Sequence, residues 1–266
     1  MKHFRYISLG AGVQSSALLI MSNKELHGCQ KADVAIFADT QCEPPWVYEQ
    51  LERLKKWSKI PIHVVTAGNL YQDVIDRHNG KKKRFAAIPA WTKMGQTATP
   101  LRRQCTREYK IEPIEKKVRE LLGYKPRQRI KDSVIAMIGI SWDEAKRAKD
   151  SRTPWITNKF PLLEACLKRT DCVKILEDEG MPIPKKSSCV ICPYHSSEFW
   201  RTLKKDHGEQ FKRAVEFDKA IRDMRMSGVM QPVYLHRSCK PLDEANFEEN
   251  QMTFEWFGEC EGMCGT

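Results

Sequence analysis

Short apolar segments alternate with helix-like segments along the first 140 residues of the chain. The apolar runs of strand length are residues 6–9, 34–38, 61–65 and 133–140. Between the second and third runs, Val47, Leu51 and Leu54 recur at i, i+4 and i+7, which is the spacing of one buried helix face. This alternation predicts βαβ units and therefore an α/β fold with a doubly wound, mainly parallel sheet.

The pattern changes after residue 150. Prolines, a cysteine pair and a helix near residues 208–226 follow, and the chain reads as irregular from residue 227. We expect an α/β domain over residues 1–150 and a helical, cysteine-bearing region over residues 151–266 that packs on it. Residues 79–104 contain glycines, prolines and a basic run, so we expect a long irregular segment there.

The composition favours a globular protein outside the membrane. Hydrophobic residues make up 41% of the 266 residues, which is enough for a core. No apolar run approaches the ~18 residues that a membrane span needs. The first residues faintly resemble a signal peptide, but polar residues at 14–16 interrupt the apolar region, so we expect a cytoplasmic protein.

The chain is basic, with 45 Lys and Arg against 34 Asp and Glu and a formal net charge of +11. A basic surface attracts polyanions, so nucleic acid or a phosphate-rich substrate is a natural partner. The alternative is a soluble protein that happens to be basic. The dense run at residues 81–84 is, by itself, more typical of a solvated face than of a binding site.

Residues 8–16 lie between the first predicted strand and the first predicted helix. Glycines in such a turn let backbone N–H groups approach an anion, and the helix N-terminus favours negative charge. The segment matches neither the Walker pattern nor the dinucleotide fingerprint. It predicts a phosphate site, and the alternative is an ordinary glycine-containing turn. The candidate binding residues are Ser8, Gly10, Gly12, Gln14, Ser15 and Ser16.

The segment at residues 10–15 resembles the Ser-Gly-Gly-x-Asp-Ser loop of the PP-loop adenine-nucleotide superfamily. That superfamily includes ATP pyrophosphatases, phosphoadenosine phosphosulfate (PAPS) reductases and adenylating enzymes of nucleic-acid thiolation. Here Gly10 stands for the first Ser, Ala11 for the first Gly and Gln14 for the Asp. The amide at position 14 leaves open any metal-assisted role of that position.

Two later segments extend the resemblance. Asp39 and Thr40 follow the second strand, where the family's chain meets the adenosine. Gly139 opens a strand-to-helix turn similar to the one whose arginine, here Arg147, meets the nucleotide or substrate. The resemblance implies nucleotide contacts for the first three residues and a catalytic role for Arg147. The alternatives are a helix cap for Asp39 and an i+4 partner of Asp143 for Arg147.

Cys189 and Cys192 form a C-x2-C pair in a predicted turn, a spacing that lets two thiolates bind one metal centre. The chain has ten cysteines, and in a cytosolic protein such a number favours metal, cluster or thiol chemistry over disulfides. A zinc site would usually bring a second C-x2-C or paired histidines, which the sequence does not offer.

The segment around Cys105 resembles the one that supplies cluster cysteines in iron–sulfur members, namely PAPS reductase-like proteins and the DNA phosphorothioation branch. The resemblance implies a 4Fe-4S cluster on Cys105, Cys189, Cys192 and a fourth ligand, for which we expect Cys264. The alternatives for the fourth ligand are Cys260, Cys42, Cys239 and His195.

Cys260 lies in a tail that resembles the Glu-Cys-Gly tail of PAPS reductases, whose thiol attacks a sulfonate sulfur. The resemblance makes Cys260 a candidate catalytic residue. The alternatives are a cluster ligand or a redox pair with Cys264.

Taken together, the resemblance implies an enzyme that binds ATP, adenylates a substrate and releases pyrophosphate. A cluster would support sulfur transfer to nucleic acid, either DNA or tRNA, with sulfur from a donor protein. Mg2+ stays open as a further cofactor. The alternatives are a sulfonucleotide reductase, which would bind an adenine sulfonucleotide, and a nucleotide-sensing iron–sulfur interaction protein.

Overall fold

The computed structural model describes residues 3–78, 88–225 and 228–248. Its main sheet has five parallel strands in the order β3-β2-β1-β6-β7. These strands are β1 (His3–Leu9), β2 (Val34–Asp39), β3 (Ile62–Thr66), β6 (Ser133–Ile138) and β7 (Ile156–Lys159). The predicted apolar runs at 6–9, 34–38, 61–65 and 133–140 each overlap a strand of this sheet.

Helices cover both faces of the sheet. They are α1 (Val13–Lys24), α2 (Pro45–Trp57), α3 (Leu70–His78), α4 (Glu112–Leu121), α5 (Pro161–Glu164), α6 (Arg169–Asp178), α7 (Ser197–Asp206) and α8 (Gly208–Ala220). Ile7 packs with α1 and α6 on one face, whereas its neighbour Tyr6 packs with α4 on the other. The central strand β1 is therefore buried on both sides, and the expected doubly wound α/β fold is confirmed.

The order of the strands creates one reversal point. β1 pairs with β2 on one side, as in Tyr6↔Val34, and with β6 on the other, as in Ser8↔Ile138. The chain builds outward from β1 to β3 and then returns to place β6 against the free side of β1. In open α/β sheets such a reversal leaves a crevice at the carboxyl ends of the two strands, where ligands bind.

A second, antiparallel sheet of three strands corrects two expectations. It contains β4 (Trp91–Met94), β5 (Thr97–Pro100) and β8 (Val233–Tyr234). The segment 79–104 was expected to be irregular, but β4 and β5 form a hairpin around Gly95, which has a φ of +64°. The chain beyond residue 227 also contributes β8, whose pairing with β4 joins segments about 140 residues apart.

The C-terminal half remains tied to the main sheet. β7 lies beyond residue 150 and was not predicted from the sequence, yet it pairs with β6. α6, also beyond residue 150, packs against α1. The helix expected near residues 208–226 ends at Ala220. The division of the chain at residue 150 stays a prediction. Within the described ranges, no helix combines the length and apolarity that crossing a membrane requires.

Candidate functional site

The turn after β1 is closed by the hydroxyl of Ser15. The N–H groups of Gly10 and Gly12 each donate to Ser15 Oγ at 3.2 Å. Between them, Ala11 has a φ of +56°, in the left-handed region that favours glycine. Two backbone donors therefore converge on one oxygen at the N-terminus of α1, which is the arrangement that would receive an anion's oxygen in place of the hydroxyl.

Two further hydroxyls lie buried at the same crevice. Ser16 follows Ser15 in α1, and Ser141 follows β6; both are fully buried. Neither Oγ has a hydrogen-bond partner among the residues that the structure describes. A buried hydroxyl without a partner is costly, so these two groups mark a place where a ligand's oxygens would be stabilising. Ser8 and Gly139, at the ends of β1 and β6, are also buried.

Gln14 connects this turn to two distant segments. Its amide nitrogen donates to Glu144 Oε2 at 3.3 Å, and its carbonyl oxygen accepts from Arg169 Nη1 at 2.9 Å. Arg147 forms an ion pair of 2.6 Å with Glu144. Arg147 thus lies one contact away from Gln14.

Asp39 and Thr40 at the end of β2 have different surroundings. Asp39 Oδ1 accepts from the backbone N–H of Gln41 at 2.7 Å and from the Tyr48 hydroxyl at 2.8 Å. Thr40 was expected at the nucleotide, but its Oγ1 lies 3.1 Å from Cys189 Sγ. The structure therefore places Thr40 against the cysteines, and Asp39 in a turn beside α2.

Cys105, Cys189 and Cys192 line one small cavity, which we call the thiol cavity. Its other lining residues are Thr40, Leu70, Ile88, Pro89, Arg103, Thr106, Lys110, Ile191 and Pro193. Cys189 and Cys192 share a turn closed by the Cys192 N–H bonding the Cys189 carbonyl at 2.9 Å. Three cysteines from two segments more than 80 residues apart thus meet in one place.

A buried ion pair lies beside the thiol cavity. Lys110 Nζ is 3.4 Å from Glu43 Oε1, and their side chains are only 11% and 3% exposed. The same Glu43 oxygen accepts from Cys189 Sγ at 3.5 Å. Burial, and secondly Glu43, raise the pKa of the Cys189 thiol well above its usual value, while Lys110 and the Thr40 hydroxyl act in the opposite direction. Burial therefore favours the neutral thiol of Cys189 over the thiolate.

Lys110 lies in a stretch of π-helical backbone. A π-helical segment at Arg107–Ile111 precedes α4 directly. The wider turn of a π-helix shifts the side chains that follow relative to a regular helix, and such segments are frequent at functional sites. No sequence pattern signals the ion pair.

The alternatives for a fourth metal ligand are resolved only in part. Cys260 and Cys264 lie outside the described residues. Cys42 is fully buried, and burial raises its pKa to about 12. His195 contacts the Cys189 carbonyl through Nε2 at 2.9 Å, and the Cys239 thiol bonds the Arg237 carbonyl at 3.8 Å. Over residues 3–78, 88–225 and 228–248, no three His, Cys, Asp or Glu side chains form a group that could hold a metal ion.

No protein-family model matches the chain, and no curated protein matches it. Among solved structures, the chain is similar to a phosphoadenylyl-sulfate (PAPS) reductase from Candida auris, determined as a phosphate complex. The two are 12% identical, with a TM-score of 0.44, over 71% of this chain and 80% of that one. Function is therefore inferred from the residues of this chain.

Proposed function

We propose that the chain is an enzyme that binds the phosphates of ATP in the crevice between β1 and β6 and adenylates a substrate. The supporting observation is the pair of buried, unpartnered hydroxyls of Ser16 and Ser141 on the two sides of that crevice. A polyphosphate has many acceptor oxygens, and it would give both hydroxyls the partner that they lack.

The reaction is a substitution at the α-phosphorus. A nucleophile of the acceptor forms a bond to that phosphorus while the bond to the β-phosphate bridging oxygen breaks, and pyrophosphate leaves. Negative charge gathers on the departing oxygens, so cations close by lower the barrier. Arg147 is the candidate for this role, and Gly10, Gly12 and Ser15 at the N-terminus of α1 would hold the phosphates in place.

The thiol cavity offers three sulfur donors for a cofactor, although as the structure describes them these side chains do not form a group that could hold a metal ion. Cys105, Cys189 and Cys192 are the donors, apolar side chains form much of the wall, and Lys110 supplies positive charge beside them. We propose that these cysteines would hold a 4Fe-4S cluster, with Cys264 as the fourth ligand. Such a cluster, when bound, supplies iron-bound sulfur chemistry. The net charge of +11 favours nucleic acid as the acceptor, with sulfur from a donor protein.

One observation favours a second candidate, the reduction of an adenine sulfonucleotide. Gln14 places an amide where the related loops carry a carboxylate, so this position offers no acidic ligand for Mg2+. A sulfonucleotide is already adenylated, and its reduction needs no metal-assisted release of pyrophosphate. In that reaction the Cys260 thiolate would form a bond to the sulfonate sulfur while the S–O bond to the nucleotide phosphate breaks, and the adenine nucleotide would leave. A thiol reductant would then attack the Cys260 sulfur, which releases sulfite and leaves a disulfide between Cys260 and the reductant.

Product analysis separates the candidates. Anaerobically purified protein is incubated with ATP or PAPS, and pyrophosphate and sulfite are measured. Pyrophosphate from ATP that is lost in the Ser16→Ala/Ser141→Ala variant supports adenylation. Sulfite from PAPS with a thiol reductant supports reduction instead, and tight ATP binding without any product supports a nucleotide sensor. A colourless protein that contains zinc would overturn the cluster proposal.

A further inference from the structure

The side chain of Gln14 holds an arginine that no sequence pattern singled out. Gln14 is 1% exposed and lies in the first turn of α1. Its carbonyl oxygen accepts from Arg169 Nη1 at 2.9 Å, across 155 residues of sequence. Arg169 is the first residue of α6, whose backbone N–H is fixed by Asp143 Oδ1 at 3.0 Å. Arg169 is thus held by Asp143 at its backbone and by Gln14 at its guanidinium, beside the turn between β1 and α1.

The chemistry of the contacts explains why position 14 is an amide. Gln14 donates to Glu144 and accepts from Arg169, and only a side chain with both a donor and an acceptor does this. A carboxylate there would have acceptors only. It would repel Glu144 and would place a negative charge directly against Arg169. The amide keeps both contacts and adds no negative charge beside the guanidinium.

We propose that Arg169 is a phosphate-binding residue of the crevice, positioned by Gln14, and that it lets the nucleotide bind without a divalent cation. The inference rests on the proposed function of the crevice. A guanidinium is permanently charged and offers planar, paired donors that match phosphate oxygens. It supplies at this position the positive charge that a metal ion would otherwise bring.

The buried hydroxyls that carry the proposed function lie on the segments that Gln14 connects. Ser16 lies two residues after Gln14 in α1, and Ser141 lies three residues before Glu144. The two segments that Gln14 bridges are therefore the same two that carry the unpartnered hydroxyls. Glu144 is already paired with Arg147, so its carboxylate does not require Arg169 as its counter-ion.

The test measures binding of ATP, and separately of inorganic pyrophosphate, by titration calorimetry in EDTA and in Mg2+. The wild-type chain is compared with Arg169→Ala, Arg169→Lys and Gln14→Glu. Arg53→Ala is the matched control, because Arg53 is a half-exposed arginine on α2 that pairs with Glu49. Thermal unfolding of each variant identifies any that fail to fold, and Gln14→Glu preserves the size and shape of the side chain.

In EDTA, the wild-type chain is expected to bind both ligands with a Kd close to that in Mg2+. Arg169→Ala is expected to raise the Kd about ten- to a hundred-fold, the usual loss for a charge-assisted bond. Arg169→Lys should recover part of this loss. Gln14→Glu should raise the Kd about tenfold in EDTA and by a smaller factor in Mg2+. A purely structural role of Gln14 would not make the effect depend on the metal.

The outcomes separate this inference from the proposed function. Pyrophosphate production that persists in Arg169→Ala, with a Kd equal to that of Arg53→Ala, overturns the inference and leaves the enzyme proposal. A strict requirement of wild-type binding for Mg2+ also overturns it. Binding that depends on Arg169 without any product overturns the enzyme proposal and leaves the site. An absence of binding to both ligands overturns both.

Discussion

Thr40 Oγ1 lies 3.1 Å from the sulfur of Cys189, and this contact joins the end of β2 to the C-x2-C turn. The same hydroxyl accepts from the Cys42 N–H at 3.3 Å and donates to Glu43 at 3.3 Å. One threonine therefore links the carboxyl edge of the main sheet to the thiol cavity. The cavity and the crevice between β1 and β6 both lie at that edge.

The Thr40 hydroxyl gives the first prediction. Thr40→Val keeps the shape of the side chain but leaves the buried Cys42 N–H without its acceptor, so the free energy of unfolding should fall by about 1–3 kcal/mol. Thr40→Ser keeps the hydroxyl and serves as the control. Denaturant unfolding under reducing conditions measures both. Equal stability of Thr40→Val and the wild type would show that the hydroxyl contributes nothing to the turn.

Ser15 and Ser16, in the first turn of α1, should affect stability differently when each is replaced by alanine. Ser15→Ala removes the acceptor of two backbone N–H groups and should cost about 1 kcal/mol of stability, as the loss of a helix cap does. Ser16→Ala removes a buried hydroxyl without a partner, so stability should stay the same or rise while ATP binding weakens. Thermal unfolding with and without ATP measures both effects. Equal destabilisation by the two variants would contradict the hydrogen-bond pattern.

Ala11 should tolerate glycine. A left-handed alanine costs about 1–2 kcal/mol, whereas glycine costs about 0.5–1 kcal/mol of extra entropy on folding. Ala11→Gly is therefore expected to be neutral or to stabilise the chain by up to about 1 kcal/mol. Ala17→Gly, in the interior of α1, is the control and should destabilise. A clear loss of stability in Ala11→Gly alone would mean that the methyl group contributes more by packing than the φ of +56° costs.

The buried ion pair beside the thiol cavity should be sensitive to the loss of one partner. Lys110→Met leaves the Glu43 carboxylate buried without its cation and should destabilise the chain by about 3–5 kcal/mol. Adding Glu43→Gln removes the stranded charge, so the double variant should be more stable than Lys110→Met. Denaturant unfolding of the single and double variants gives the coupling between them. Additive effects would show that the two charges do not interact.

His236 should make the stability depend on pH. Burial, and secondly Arg237, lower its pKa from 6.5 to about 4. Between these values the unfolded chain binds a proton that the folded chain does not. The contribution of His236 is therefore full above about pH 6.5 and is lost as the pH falls towards 4, by about 3 kcal/mol in total. Burial lowers the pKa of His195 in the same direction.

The measurement compares slopes rather than absolute stabilities. Denaturant unfolding of the wild type and His236→Gln is followed between pH 7 and pH 4. The wild type should lose stability more steeply, because glutamine has no charge to acquire. Parallel curves would exclude His236 as a source of the pH dependence.

Much of the fold follows from local sequence. Tyr6 and Ile7 lie in an apolar run that is too short for a buried helix. Their side chains lie on opposite faces of the sheet, and helices cover both faces, as is usual for parallel strands. The turn with Gly10 and Gly12 comes directly after that run. The hairpin of β4 and β5 was missed because each strand has only four residues and lies in a segment with glycines, prolines and a basic run. β4 also pairs with β8, which lies far along the chain.

The sequence by itself determined the α/β class, the glycine-containing turn between β1 and α1, and the C-x2-C pair of Cys189 and Cys192, because each depends on neighbours within a few residues. Only the tertiary structure decided that β6 lies against β1, that Thr40 faces Cys189, and that Arg169 reaches Gln14. These contacts join residues more than 100 positions apart. No local pattern encodes them, since they are set by how the helices pack on the two faces of the sheet.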